Sequence, residues 1–367
     1  MAELEERVAF CTFGMFIIDQ IEYLNGRVPA EKILGGAGAY AALGARLAAG
    51  EANSKYVSWI VDMGSDFPPE FKVLIDTWQT RCTFRLDMSR LSTTAWNGYG
   101  PNEYRAFKYL TPKLRLDENS LSDEQGRARS FHMVCSPARC LSIIEGVMAR
   151  RRRLAEDEPR PIFVWEPVPD QCTPAELERL IKTATHVDVI SPNAEEFAAL
   201  FTASSEQVSR QAMVEKLLGL RGSKPLSTAL VVREGAQGCT MYRGSRSLHL
   251  PAYHQSAERV IDPTGGGNTF LGALAIAMTG TVSPSGTDVV ERQVPDGYTQ
   301  QQRLLFALLH ATVAASYAIE QVGMPVLATS GVDAWNGEPY QERFMSYLHR
   351  EGAYISEQLE AWQSSNP

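Results

Sequence analysis

The sequence predicts a three-layer α/β/α sandwich with a mostly parallel central sheet and a small β lid. Three observations carry this. Short, near-continuous apolar runs alternate with stretches of helical spacing along most of the chain, the pattern of a parallel sheet covered on both faces. Residues 81–111 break that alternation, with strand-like runs joined by Gly, Pro and Asn turns. VIDPTGGGNTFLGAL (260–274) carries an apolar run through three glycines straight into a helical pattern, as at the ligand edge of open α/β sheets.

The elements follow in order. RVAFCTFG (7–14) reads as the first strand, ending at Gly14. The chain from about 14 to 24, with 81–111, forms the lid. GGAGAYAALGARLAAG (35–50) is a helix of small residues, KYVSWIVDMG (55–64) the next strand, and FKVLIDTWQT (71–80) has helical spacing. Further strands are FHMVCS (131–136), PIFVWEP (161–167), HVDVISPN (186–193) and ALVVREG (229–235). A helix is expected from Asn268 to about Met278 and a polar loop over 281–297. A long helix covers 304–323, and a helix after Gly352 frays near the end. One domain therefore spans 1–352, with a C-terminal helix and tail over 353–367.

Composition narrows the function classes. With 44% hydrophobic and 21% charged residues, the chain has the balance of an ordinary soluble protein with a sizeable core. A net charge of −8 argues against a nucleic-acid surface, which needs clustered Lys and Arg. The basic run Arg150 to Arg153 is followed by Glu156, Asp157 and Glu158 and reads as a solvated helix end. Cysteines 11, 82, 135, 140, 172 and 239 show no metal spacing and suggest free buried thiols in a reducing compartment. No leader and no membrane-length apolar stretch is visible, so a cytoplasmic location is expected.

Four local patterns carry chemistry. Gly265, Gly266 and Gly267 stand before a helix start, where free N–H groups and the helix dipole favour an anion; a tight strand-to-helix turn needs the same residues. Asn193 and Glu196, three apart at another helix start, could hold Mg2+ or simply close a capping box. REGAQG (233–238) places Gly235 and Gly238 after a strand, either to let backbone approach a nucleotide or to make a hairpin. Asp19, five residues past Gly14, could accept hydrogen bonds from substrate hydroxyls or sit solvated in a turn.

Taken together, their order resembles the ribokinase-like (pfkB) carbohydrate kinase family over most of the chain. The N-terminal signature is GGAGAYAALGARL (35–47), the acidic stretch DMGSDF (62–67) and the lid segment STTAWNGYGPNEYRAF (92–107). The N-x-x-E motif is PNAEE (192–196), the nucleotide-side turn EGAQG (234–238), and the C-terminal signature DPTGGGN (262–268). The resemblance implies a ribokinase-like fold using ATP and Mg2+ on a small hydroxylated substrate. Gly265, Gly266 and Gly267 would be the anion hole, and Asp19, Gly36, Tyr40 and Arg105 would face the substrate. Asn193, Arg233, Gly235, Gly238 and Thr264 would meet the nucleotide, with Glu196 and Asn193 at the metal.

The family pattern breaks at three places. Its last signature residue is an Asp acting as general base, and here that position is Asn268, whose amide has no useful basicity near pH 7. Asp262, across the glycine turn, is the nearest carboxylate in sequence and either replaces the base or braces the turn. Tyr40 stands where sugar kinases carry an Asn, and Pro263 is a mild change. Three readings remain open: a kinase with a weakened or replaced base, a nucleotide- or metabolite-binding pseudokinase acting through partners, or another ATP-linked reaction in the same site. Trp96, Tyr99, Tyr104, Phe107 and Tyr109 make the lid aromatic enough to serve as a homodimer face, unless they pack on the main sheet or the substrate.

Overall fold

The structure, a computed structural model, describes all residues except 1–6, 24–28, 100–104, 156–157, 203–207, 220–226, 286–299, 329–330 and 365–367. Its first half runs β1 (Phe10–Thr12), β2 (Ile17–Tyr23), β3 (Ala30–Gly35), α1 (Ala37–Ala49), β4 (Val57–Met63), α2 (Pro69–Thr77), β5 (Arg81–Leu86), β6 (Thr94–Tyr99) and β7 (Arg105–Tyr109). Next come β8 (Ser130–Cys135), α3 (Pro137–Leu154), β9 (Ile162–Pro167), α4 (Leu177–Ala184), β10 (Val189–Ile190), α5 (Ala194–Ala199) and α6 (Arg210–Leu217). The last part holds β11 (Ala229–Arg233), β12 (Cys239–Arg243), β13 (Arg246–Leu250), α7 (Gly266–Ala277), α8 (Gln300–Ala318), β14 (Ala334–Trp335), β15 (Glu338–Pro339) and α9 (Tyr340–Ser364).

The main sheet has nine strands in the order β13-β12-β11-β10-β9-β8-β1-β4-β5. It is parallel from β5 to β11 and antiparallel only at β12 and β13. The strand order reverses between β1 and β8, which opens a ligand crevice at their carboxyl ends. Side chains alternate between two cores. Phe10, Val164 and Val231 join α1, α7 and α8 on one face, while Cys11, Phe131, Phe163 and Val232 join α3 to α6 on the other. Helices α1 and α7 cross in backbone contact, since a Cβ at Gly44 would overlap the Thr269 carbonyl and one at Gly272 the Ala41 carbonyl. That close crossing is the use of the small-residue pattern.

Several expectations are corrected. Residues 81–86 do not belong to the lid: β5 pairs in parallel with β4 as the edge of the main sheet. The lid sheet has the order β3-β2-β6-β7 and gains β3, which the sequence did not announce. It is mixed, because β2 and β6 run parallel while the outer pairs are antiparallel. A boundary at residue 352 falls inside α9, whose Ile355 and Trp362 are buried against the core. Helix α8 ends at Ala318 rather than continuing to 323, and most of the loop expected at 281–297 lies outside the described residues. Arg151 is not solvated: it is buried, and its guanidinium donates to the carbonyls of Gly126 and Ala128.

All six cysteines are free, and five of them are buried. No helix among the described residues is long and apolar enough to cross a membrane. On the lid, the Trp96 indole donates to Glu22 at 2.8 Å, and Phe107, 51% exposed, stands edge-on to Tyr109.

Two buried histidines give the fold an acid limit. Burial pushes His132 and His310 down to about 3. Below the unfolded value near 6.5 the unfolded chain takes up protons that the folded chain refuses, so stability is lost as pH falls from about 6.5 toward 3. Each site costs up to about 1.4 kcal/mol per pH unit in that window. Urea midpoints at pH 7 and pH 5 should therefore differ, and His310→Phe should remove part of the difference. Equal midpoints in the wild-type protein would contradict the buried neutral assignment.

Candidate active site

The glycine turn enters α7 at the switch point. Gly265 is its N-cap, with φ 80° and ψ −15° in the left-handed region where only glycine is comfortable. Helix α7 begins at Gly266, so Asn268 is its third residue. The first-turn N–H groups of a helix lack intrahelical acceptors, and here Pro263 takes the one from Gly266 at 3.2 Å. Asp262 is buried and accepts from Thr264 N–H at 2.9 Å. That bond braces the turn. Asn268 Oδ1 is buried and has no hydrogen-bond partner among the described residues.

Charged residues converge on one side of the turn. Thr12, His132, Glu166 and Arg233 lie on the sheet face of Phe10, Val164 and Val231, toward α7, by strand alternation and register. The Arg233 guanidinium pairs with Glu166, lies 3.7 Å from Glu196 and donates to the Ser191 carbonyl at 3.1 Å. It also covers the turn, because a Cβ at Gly267 would overlap Arg233 Nη1 and lie 4.0 Å from Glu166 Oε1. Burial, and then the neighbouring Glu166 charge, raises Glu196 to about 6 against the pull of Arg233. Asn193 and Glu196 do close the capping box: each backbone N–H donates to the other's side chain at 2.8 Å.

A groove of about 470 Å³ opens beside these residues. Asn193, Arg233, Gly235, Gly238, Gly266 and Gly267 line its polar end, and Val260, Phe270, Ala315 and Ile319 its apolar side. The hairpin turn at 233–238 is thus also a groove wall, and Gly238 needs to be glycine at φ 93° against the Leu250 carbonyl. Deeper in the wall, His254 meets Glu320 at 3.1 Å. Burial alone would raise Glu320, but hydrogen bonds from His254 and Asn336 and the charge of Arg343 hold it at about 2.

On the other side stand the residues expected to face the substrate, from the lid strands and from α1. Asp19 is buried in β2 and accepts from Asn97 Nδ2 at 3.1 Å. Gly36 caps α1 at φ 87°. Tyr40 is only 3% exposed, and its ring lies directly against Gly265, where a Cβ would overlap it. The expected substrate-facing tyrosine therefore packs on the glycine turn itself. Arg105 opens β7, but its side chain lies outside the described residues. Glu166 was not singled out in sequence. Its only signal is a carboxylate closing an apolar strand, at PIFVWEP.

A model of the pfkB family carbohydrate kinases matches residues 166–290. The protein MAK32 of Saccharomyces cerevisiae is 33% identical over 368 residues, covering 95% of this chain and 94% of its own length. Among solved structures, a ribokinase from Giardia lamblia matches with a TM-score of 0.66 at 15% identity, covering 94% of this chain and 99% of that one. A fructokinase from Xylella fastidiosa with bound ATP matches with a TM-score of 0.62 at 16% identity, covering 95% and 99%. At such identities the likeness is one of fold, the ribokinase-like α/β fold. The chain belongs to the pfkB family of carbohydrate kinases, as a divergent member that closes its glycine signature with Asn268.

Proposed function

We propose that the protein transfers a phosphoryl group from ATP to a hydroxyl of a sugar, nucleoside or similar small molecule, assisted by Mg2+, with a weakened general base. The observation that carries this reading is the meeting of the groove with the glycine turn: Gly266 and Gly267 line the groove and open α7. A nucleotide in the groove would set its phosphates on the dipole end of that helix. Arg233 supplies a forked cation beside them. The donor set also suits a hard divalent cation, because Glu196 and Glu166 both face Arg233, and Glu166 Oε2 is buried without a partner among the described residues. Such an ion would neutralise charge on the transferred group, and most phosphoryl-transfer catalysis comes from positioning and neutralisation.

A second reading has its own support. Asn268 cannot take a proton from the acceptor, and the Tyr40 ring presses on Gly265 from the lid side. A protein that binds nucleotide or a metabolite without transfer would tolerate both. Calorimetry with an ATP analogue and Mg2+, followed by ADP release against a panel of sugars and nucleosides, separates the two. Transfer predicts binding in the micromolar-to-millimolar range usual for enzymes and acceptor-dependent ADP release. Binding with no acceptor-dependent release across the panel would favour the second reading, and no binding of the analogue would sink the transfer reading and the nucleotide half of the second. The exposed Phe107 also leaves the lid as a homodimer face; light scattering reporting a monomer would remove that element.

A further inference from the structure

We propose that Arg233 is a clasp that closes a divalent-cation site until a nucleotide draws it away. The inference rests on the phosphoryl-transfer reading above, and its test keeps the two apart. The guanidinium stands over the first turn of α7, where a Cβ at Gly267 would overlap Nη1. A cation at the positive end of a helix dipole is unfavourable by itself. Glu166, which pairs with Arg233, and Glu196 at 3.7 Å reverse that balance. Two carboxylates face one guanidinium, so the cluster suits a doubly charged cation better than it suits Arg233.

The pairing is also incomplete. Glu166 is 7% exposed, and among the described residues neither its Oε2 nor the buried Nε of Arg233 has a hydrogen-bond partner. Such a half-satisfied buried network is costly as it stands. A phosphate on the turn would offer the guanidinium a forked, doubly charged acceptor better than a single carboxylate oxygen. Arg233 would then turn to the phosphate, leaving Glu166 and Glu196 as two buried carboxylates without a counterion. That arrangement is costly unless a cation arrives. Nucleotide therefore binds first and creates the affinity for metal, and by linkage the metal strengthens nucleotide binding by the same factor, on the order of 5–150-fold.

Mn2+ is the probe, followed on the full chain by electron paramagnetic resonance and by its effect on Tm. Wild-type protein without nucleotide should bind Mn2+ weakly and show no Tm shift. Arg233→Met should bind Mn2+ without nucleotide roughly tenfold more tightly or better, and Mn2+ should raise its Tm. Arg233→Lys keeps the charge and loses the fork, so it serves if the Met variant does not fold; a smaller tightening is expected. Glu166→Gln added to Arg233→Met should abolish the Mn2+-dependent rise in Tm, and wild-type protein with an ATP analogue should bind Mn2+ more tightly than without it. Tight Mn2+ binding by the nucleotide-free wild-type protein, or equal affinity in the wild-type and Arg233 variants, would overturn the clasp. Mn2+ behaving as expected in the Arg233 variants while the wild-type protein binds no ATP analogue would retain a cation site covered by Arg233, and would overturn both its release by nucleotide and the phosphoryl-transfer reading.

Discussion

Asn268→Asp should raise the rate of ADP release with a hydroxylated acceptor by roughly 10²–10⁴-fold, the contribution of a positioned general base. Asn268 is the third residue of α7, where a new carboxylate gains from the helix dipole, by about 0.3–1 kcal/mol at an exposed helix end. The substitution is nearly isosteric. It places a carboxylate oxygen where Asn268 Oδ1 is already buried and has no hydrogen-bond partner among the described residues. The dipole offsets only part of the cost of burying that charge, so the variant is expected to fold with a somewhat lower Tm than the wild-type protein. Release should be followed with and without acceptor, since a base at this position can also activate water. A folded variant that binds the ATP analogue but shows no gain would mean that the acceptor side has changed as well. Tyr40, packed on Gly265, is the residue on that side that departs from the family pattern.

The parts legible in the sequence are those where one strand or helix carries its own signal. Strands β8, β9 and β11 read as apolar runs because both of their faces are buried. Helix α1 read as a small-residue helix because its backbone touches α7. Strand β5 misled because it is a half-exposed edge strand, with the composition of the lid strands that follow. Strand β3 was hidden by Lys32, whose φ of 56° is irregular for a strand. At the site, motif order picked out Arg233, Gly267 and Glu196, but not that the guanidinium lies across the glycine turn. Glu166 was silent, because a carboxylate at a strand end looks like an ordinary terminator. Only the pairing of β9 in the middle of the sheet brings it beneath α7. Tyr40 could be assigned a side of the site but not a contact, since that contact depends on how closely α1 and α7 cross.

The glycine turn is a demanding piece of backbone at the site, so Gly265→Ala should cause a large loss of function. At φ 80° an L-residue costs about 1–2 kcal/mol. The added methyl would also overlap the Tyr40 ring, and overpacking a closed site costs about 1–3 kcal/mol more. The ring has little room to retreat, being only 3% exposed. The turn is then expected to reshape, and its N–H groups lose their common focus. Charge-assisted hydrogen bonds are worth about 1.5–3 kcal/mol each, so losing one weakens nucleotide binding roughly 10–100-fold. Calorimetry with an ATP analogue and thermal unfolding measure the two effects. Gly266→Ala is the control, because its φ is ordinary and its Cβ would meet only Ile319 Cγ2, at 2.8 Å. Adding Tyr40→Ala to Gly265→Ala should recover the packing part of the lost stability and not the φ part. A Gly265→Ala protein with unchanged Tm and unchanged nucleotide affinity would leave 265–267 as an ordinary strand-to-helix turn, and the phosphate would have to be sought elsewhere along the groove.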